Sequence, residues 1–284
     1  MSGSSKSNPA LSGAGGLAGA LFGPIAMTLH EVGGLALFIQ LIVKTALTTS
    51  GNTPAILEQI LSIVSRSLAT VTFAGTFVGA IIVLQFNAVL MVYDAQIFLG
   101  GLNTSAIVRE IGPLMITFIL AGKIGAFTAA ELGTMRVTEQ IDAVECLGTN
   151  PVQYLVLPRF IGIVISSLIL LALGIMISMV GSTFVAVVLA GMNPIQYMST
   201  ITRFVGGWTL FCGAAKSLIY GIIVGGVACH KGYTARGGAR GVGTAVTQAA
   251  LYMSLFVILA NYITSNTLNF LYDFLGTALG WVEG

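Results

Sequence analysis

Between Arg66 and Asp94 the chain carries no charged residue, and from Phe160 it carries none until Arg203. Runs of this kind decide the fold class. The hydrocarbon core of a bilayer is about 30 Å thick, and a helix crosses it with about 20 apolar residues. Composition agrees: 56% of the residues are hydrophobic and only 8% are charged, against roughly 25% charged in a soluble domain. The 36 glycines suit closely packed spanning helices. The chain reads as an all-α integral membrane protein with about five transmembrane helices, an N-terminal interfacial elbow helix and a short cytoplasmic helix between two spans.

The spans are predicted at about 67–93, 111–130, 160–190, 208–228 and 244–271 within one membrane domain, 51–284. Lys123 interrupts the second and Lys216 the fourth. Gly191-Met192-Asn193-Pro194 breaks the long third run, and the polar stretch CHKGYTARGGARGVG separates the last two spans. Residues 1–16, MSGSSKSNPALSGAGG, form a Ser/Gly-rich head expected to be disordered, without the pattern of a secretory signal. Residues 17–50 are apolar enough to count as a span in a hydropathy plot. Glu31 near the middle of that segment, with Gly33 and Gly34, favours an elbow lying in the interface. A turn at Ser50-Gly51-Asn52-Thr53-Pro54 follows. Should 17–47 cross the bilayer instead, the helix count becomes six.

Positive charge orients the bundle. Lys6, Lys44, Arg66, Arg136, Arg159, Lys231, Arg236 and Arg240 fall on one side, and only Arg109 and Arg203 on the other. The richer side is the cytoplasm, which places the N-terminus inside and Gly284 outside.

The charges the spans lack are gathered in Glu131 to Arg159, ELGTMRVTEQIDAVECLGTNPVQYLVLPR. Val137, Ile141, Val144 and Leu147 recur at helical spacing, while Arg136, Glu139, Gln140, Asp142 and Glu145 take the other side. A helix over 134–147 is about 21 Å long, too short to span. An amphipathic surface helix of this kind fits a groove on a partner; a solvated connecting loop is the plainer reading.

Soluble-enzyme chemistry finds little support. The sequence contains no G-x-x-x-x-G-K-[ST] phosphate loop, no H-E-x-x-H and no G-x-S-x-G. Cys146, Cys212 and Cys229 lack metal-ligand spacing and read as small apolar fillers. His30 and His230 read as interfacial residues, and Gly237-Gly238-Ala239-Arg240-Gly241-Val242-Gly243 as a tight cytoplasmic turn. No basic tract with interleaved aromatics suggests nucleic acid. No cofactor or metal is expected in this chain.

Several stretches carry a resemblance. AELGTMRVTEQIDA with LGTNPVQYLVLPR, VREIGPLMITFILAGKIGAFTAAELGTM before it, GYTARGGARGVGTAVTQA after it and GTFVGAIIVLQ in the first span resemble the MlaE/YrbE family of ABC-transporter permeases. The similarity runs from about Ile56 to the end of the fifth span, and the central block is highly specific. Cys146 and Asn150 stand where the family pattern leads one to expect Met and Asp. The resemblance implies a lipid-transporting permease of the bacterial inner membrane. It also implies a homodimer, two cytoplasmic ATPase subunits that bind ATP and Mg, a periplasmic MCE-domain ring and, in many systems, a STAS-domain protein. In that family the stretch 134–147 is the coupling helix received by the ATPase.

A substrate path follows from topology. The first span ends and the second begins on the outer side, so Gln85, Tyr93, Arg109 and Glu110 lie at one membrane level. Arg109 can hold a lipid phosphate bidentately while Leu84 and Val89 receive acyl chains. An Arg109–Glu110 pair that only anchors the helix is the alternative; the R-E-x-G-P pattern of the family favours the cavity. Lys216 joins the candidate site, although Lys123 and Lys216 are equally readable as partners of backbone carbonyls or carboxylates. Gly75/Gly79 and Gly221/Gly225 are G-x-x-x-G pairs for packing within or between subunits. Asn261, Ser265, Asn266 and Asn269 form a polar strip on the fifth span, for hydrogen bonding across a dimer or for lining the path. Two other classes compete: a secondary transporter, which should show internal repeats and a midplane ion pair, and an intramembrane lipid-modifying enzyme, for which no convergent acid, base or nucleophile is evident.

Overall fold

The computed structural model describes residues 33–48 and 53–278. The expected disordered head, the first part of the elbow with Glu31, and Gly284 lie outside the described residues. What is described contains helices and no strand. We number them α1 (Gly33–Thr48), α2 (Thr53–Val92), α3 (Gln96–Val137), α4 (Gln140–Cys146), α5 (Val152–Val188), α6 (Pro194–Phe204), α7 (Gly207–Tyr233) and α8 (Gly238–Ala278). Five of them, α2, α3, α5, α7 and α8, are long and apolar enough to cross a membrane, in the order the charge-free runs predict. At about 1.5 Å per residue the described part of α1 is about 24 Å long.

The helices pack through small residues. α2 lies along α5, where a methyl group on Gly79 would overlap the Ser178 carbonyl oxygen and one on Gly181 would come within 2.5 Å of the Thr76 carbonyl oxygen. α5 meets α7 the same way: a methyl on Gly221 would stand 2.6 Å from the Ser167 hydroxyl. Both G-x-x-x-G pairs therefore serve contacts within one subunit. Three apolar clusters stack along the bundle. Ile42, Leu132, Ile141, Val156, Phe160 and Cys229 close the end that carries α4. Val71, Ile116, Leu120, Tyr220, Val224 and Met253 fill the middle. Val83, Leu99, Ala186 and Tyr197 close the far end.

Three local features depart from expectation. The helix expected over 134–147 is interrupted. α3 runs on to Val137, Glu139 adopts a left-handed conformation (φ 60°), and α4 begins at Gln140. The apolar spacing Val137, Ile141, Val144 conceals this break because it carries no information on the backbone conformation of the polar residues between them. Next, the polar stretch before the fifth span is mostly helix. α7 continues to Tyr233 and α8 begins at Gly238, so the turn is Thr234 to Gly237, with Gly237 and Gly238 at positive φ. Finally, the break at Gly191–Pro194 opens an additional helix, α6. Asn193 caps it by accepting the Ile195 amide, and Pro194 occupies the first turn, where no amide donor is needed.

Helix α3 contains two wide turns, Ile107–Ile111 and Ala121–Gly125, in which the amide of Gly112 reaches back to Ile107 and that of Ala126 to Ala121. Such π-turns insert an extra residue and redirect the side chains they carry. The first holds Arg109 and Glu110 and the second Lys123.

Candidate functional site

The far-end site forms where the first wide turn of α3 meets α7 and α8. Glu110 reaches Lys216 of α7, with Oε1 2.5 Å from Nζ. Ser265 of α8 joins them: its hydroxyl receives a hydrogen bond from Lys216 Nζ at 2.8 Å and lies 3.0 Å from Glu110 Oε2. The Lys216 side chain is 2% exposed and that of Glu110 is 42% exposed, so the pair has a dry cationic end and a wet anionic end. A lysine buried in an apolar bundle without a carboxylate would be very costly, which explains why the helix supplies one. Beside the pair, Arg109 Nη2 donates to Asn269 Oδ1 at 2.6 Å. Arg109 is half-buried and meets no carboxylate among the described residues, so its charge remains available to a ligand.

Helix α8 supplies this geometry through one straight row. Ala245, Ala249, Met253 and Val257 are buried, and four-residue steps carry the row on to Asn261, Ser265 and Asn269. Its apolar half packs into the middle cluster. Its polar half accepts from Tyr220 Oη at Asn261 Oδ1 (2.7 Å), from Lys216 at Ser265 and from Arg109 at Asn269. The strip noted in the sequence thus bonds within the chain, while Asn266 turns away and donates to the Tyr262 carbonyl.

The other predicted substrate residues sit apart. Leu84, Gln85 and Val89 are exposed on α2, and Tyr93 is exposed in the turn that follows it. Among the described residues no hydrogen bond joins them to Arg109 or Glu110. Nor is there an Arg109–Glu110 pair, since each turns to a different helix. Lys216 finds the carboxylate and Lys123 the backbone carbonyl expected of one or other of them: Lys123 Nζ donates to the Arg66 carbonyl at 2.5 Å.

At the opposite end α4 stands on the bundle as a charged knob. Ile141 is wholly buried and Val144 half-buried in the cluster that also holds Ile42 and Val156. Glu139, Gln140, Asp142 and Glu145 are exposed, as is Leu147. Arg136 and Val137, half-buried, belong to the last turn of α3, and Arg136 forms an ion pair with Asp142 across the break. Behind the knob Arg159 grips Glu131 with two nitrogens, at 2.8 and 3.2 Å, and donates to the Leu155 carbonyl at 2.7 Å. That fork ties the start of α5 to the end of α3 and fixes the base on which α4 rests.

Sequence reasoning missed α6 and its buried link to α3. Asn103 Nδ2 donates to Tyr197 Oη at 3.0 Å, and that hydroxyl donates to Ser182 Oγ at 3.2 Å. Burial raises the pKa of the Tyr197 phenol, opposed in part by its hydrogen bonds to Ser182, Asn103 and Thr104. The Asn-Pro start of α6 was the available signal.

An all-α bundle of five candidate spanning helices, with a half-buried ion-pair network at one end and an anchored charged helix at the other, defines a multi-pass membrane protein. Comparison with known proteins gives the family. Residues 56–267 match the family model described as Permease MlaE. A probable ABC transporter permease protein of Synechocystis is 34% identical over 209 residues, covering 74% of this chain and 80% of that protein. One from Rickettsia typhi is 31% identical over 239 residues, covering 84% and 92%. One from Porphyra purpurea is 33% identical over 217 residues, covering 76% and 82%. The chain belongs to the MlaE permease family, and its role is that of an ABC transporter permease subunit, which works with an ATPase partner.

Proposed function

We propose that this chain moves phospholipid between the bacterial inner membrane and a periplasmic carrier of the MCE type. It does so as a homodimer driven by two cytoplasmic ATPase subunits that bind ATP and Mg, with a STAS-domain protein as a further subunit. Membership of the permease family supports the ATPase-driven mechanism. The observation that carries the reading is α4, a helix whose apolar side is locked into its own subunit by Ile141 while Glu139, Gln140 and Glu145 face outward. A knob fixed in this way transmits a push from a docked partner into α3 and α5. A loose loop would absorb it. The Arg159–Glu131 fork lies on that route.

At the other end the reading assigns the phosphate of a phospholipid to Arg109, beside the Glu110–Lys216–Ser265 network. The apolar side chains exposed on α2 and α8, such as Leu84, Val89 and Ile263, then accompany the acyl chains. Alternating access follows if ATP-driven rocking of α3 and α5 changes the packing around its first wide turn. The richer positive charge at the α4 end supports the reading that this end faces the cytoplasm and that the chain ends on the periplasmic side.

The test reverses charge on the outward face without touching the Arg136–Asp142 pair. With Glu139→Lys and Glu145→Lys together, the permease should assemble and purify at its normal size while retaining little of the ATPase, because like charges juxtaposed at an interface cost several kcal/mol. Wild-type amounts of bound ATPase and wild-type transport would reduce α4 to a connector.

A further inference from the structure

We infer that Arg66 and Lys123 form a second phosphate-binding station beside the middle cluster, on its α4 side, which receives the headgroup of a phospholipid from the leaflet on that side. The inference rests on the phospholipid reading above and adds a point of entry to it.

Lys123 occupies the second wide turn of α3, and its ammonium is held in place by the Arg66 carbonyl at 2.5 Å and the Thr70 hydroxyl at 3.3 Å. The guanidinium of Arg66 lies over the ring of Phe127, 5.2 Å from its centroid. Phe127 stands four residues beyond Lys123 on α3. The two helices therefore present two positioned cations side by side. Among the described residues neither has a carboxylate within 4.0 Å, although Lys216, Arg136 and Arg159 each have one. A bundle that pairs some of its cations with carboxylates and leaves two adjacent ones, on neighbouring helices, with neutral partners is suited to meet an anion from outside the chain.

The surroundings allow one to arrive. Lys123 and Phe127 are exposed, and nothing lies within 4 Å of where a side chain on Gly122 would begin. Beyond Phe127 an open hollow of about 480 Å³ continues along Ala130, Glu131 and Thr134. Glu131 is already engaged by Arg159, so it does not neutralise the station, and it marks where an anion would be repelled.

Position along α3 argues for a lipid rather than a soluble anion. Arg109 and Lys123 are fourteen residues apart, about 21 Å at 1.5 Å per residue. The hydrocarbon core measures about 30 Å. With Arg109 at one boundary, Lys123 lies about 9 Å inside the other, a depth from which a long cationic side chain can snorkel toward phosphates of that leaflet. One helix carries both stations, one for each leaflet.

The experiment places the photoreactive residue p-benzoylphenylalanine at Phe127, which keeps an aromatic ring beneath Arg66. The permease with its ATPase is reconstituted without ATP in vesicles of phosphatidylethanolamine and phosphatidylglycerol containing traces of radiolabelled phospholipid or radiolabelled diacylglycerol. Capture of phospholipid should fall about tenfold with Arg66→Gln and Lys123→Gln together, and Lys123→Arg alone should retain it. Capture of diacylglycerol, which has no phosphate, should not respond to the substitutions, and this also shows that the variants are folded. Soluble glycerol phosphate in excess should not compete. Phospholipid capture indifferent to the substitutions, in a preparation that still transports phospholipid with ATP, would overturn the station and leave the proposed function standing. Competition by glycerol phosphate would overturn the assignment to a lipid. Equal capture of both labels together with no transport would overturn both readings.

Discussion

The Glu110–Lys216 pair makes an asymmetric prediction because its two ends differ in exposure. Glu110→Gln removes the negative charge and leaves an amide oxygen that can still accept from Lys216. Lys216, 2% exposed, then keeps Ser265 and that oxygen as acceptors and loses only its counter-charge. Removing one partner of a fully buried pair costs about 3–5 kcal/mol. Glu110 is 42% exposed, so water already screens part of the attraction, and a loss of about 1–3 kcal/mol is expected. Lys216→Met should cost less, since the stranded carboxylate can take up water where the stranded ammonium cannot. The double variant should recover most of the loss caused by Glu110→Gln, because no unpaired charge remains. The assay is the fraction of permease that stays monodisperse by size exclusion after heating over a temperature series, compared in one detergent. The expected order of stability is wild type, then the double variant and Lys216→Met, then Glu110→Gln. A double variant as unstable as the two single losses added together would show that the groups do not act as a pair.

Other perturbations test the packing. Gly79→Ala sets a methyl against the Ser178 carbonyl, which no rotamer change relieves, and should sharply lower the yield of folded permease. Gly243→Ala meets open space in α8 and should be neutral or stabilising by up to about 1 kcal/mol, as alanine replaces glycine in a helix. Tyr197→Phe leaves Asn103 and Ser182 without their shared hydroxyl and should cost about 1–3 kcal/mol, read as a lower temperature for loss of the folded form by the same heating assay. A maleimide added to folded permease should label Cys146, which is exposed, and reach the buried Cys212 and Cys229 only after unfolding; early labelling of Cys212 would contradict the packing around α7.

Much of the fold was legible in the sequence because a bilayer imposes one rule: long charge-free runs must be helices. The first, third and fifth spans follow from that rule alone, and the second and fourth follow once the single lysine in each, Lys123 and Lys216, is allowed for. The break at Thr138–Glu139 did not, since a left-handed glutamate leaves no trace in the apolar spacing, and a glycine would have been the usual signal. Ile141 and Val144 pack as the stripe predicts, but Leu147 is 83% exposed because α4 has ended at Cys146 and no longer faces its base. The polar row Asn261, Ser265 and Asn269 was visible as a pattern, while its partners depend on how α8 crosses α3 and α7. The wide turns were invisible. Nothing in IVREI or AGKIG marks an extra residue, yet those turns decide where Arg109, Glu110 and Lys123 are aimed. Lys216 was identified as a member of the site without its partner, since the contact joins residues more than a hundred positions apart.

The central claim is that this chain is the phospholipid path of an ATP-driven transporter. Its most direct test is transfer measured with purified components. The permease, reconstituted in proteoliposomes with its ATPase and the carrier protein, is given a fluorescent phospholipid, and transfer to or from the carrier is followed with and without ATP and Mg. The account predicts transfer that requires ATP, drops strongly with Arg109→Ala and is lost with Glu139→Lys and Glu145→Lys together. ATP turnover at normal rates with no phospholipid moved in either direction, or transfer indifferent to all three substitutions, would contradict it.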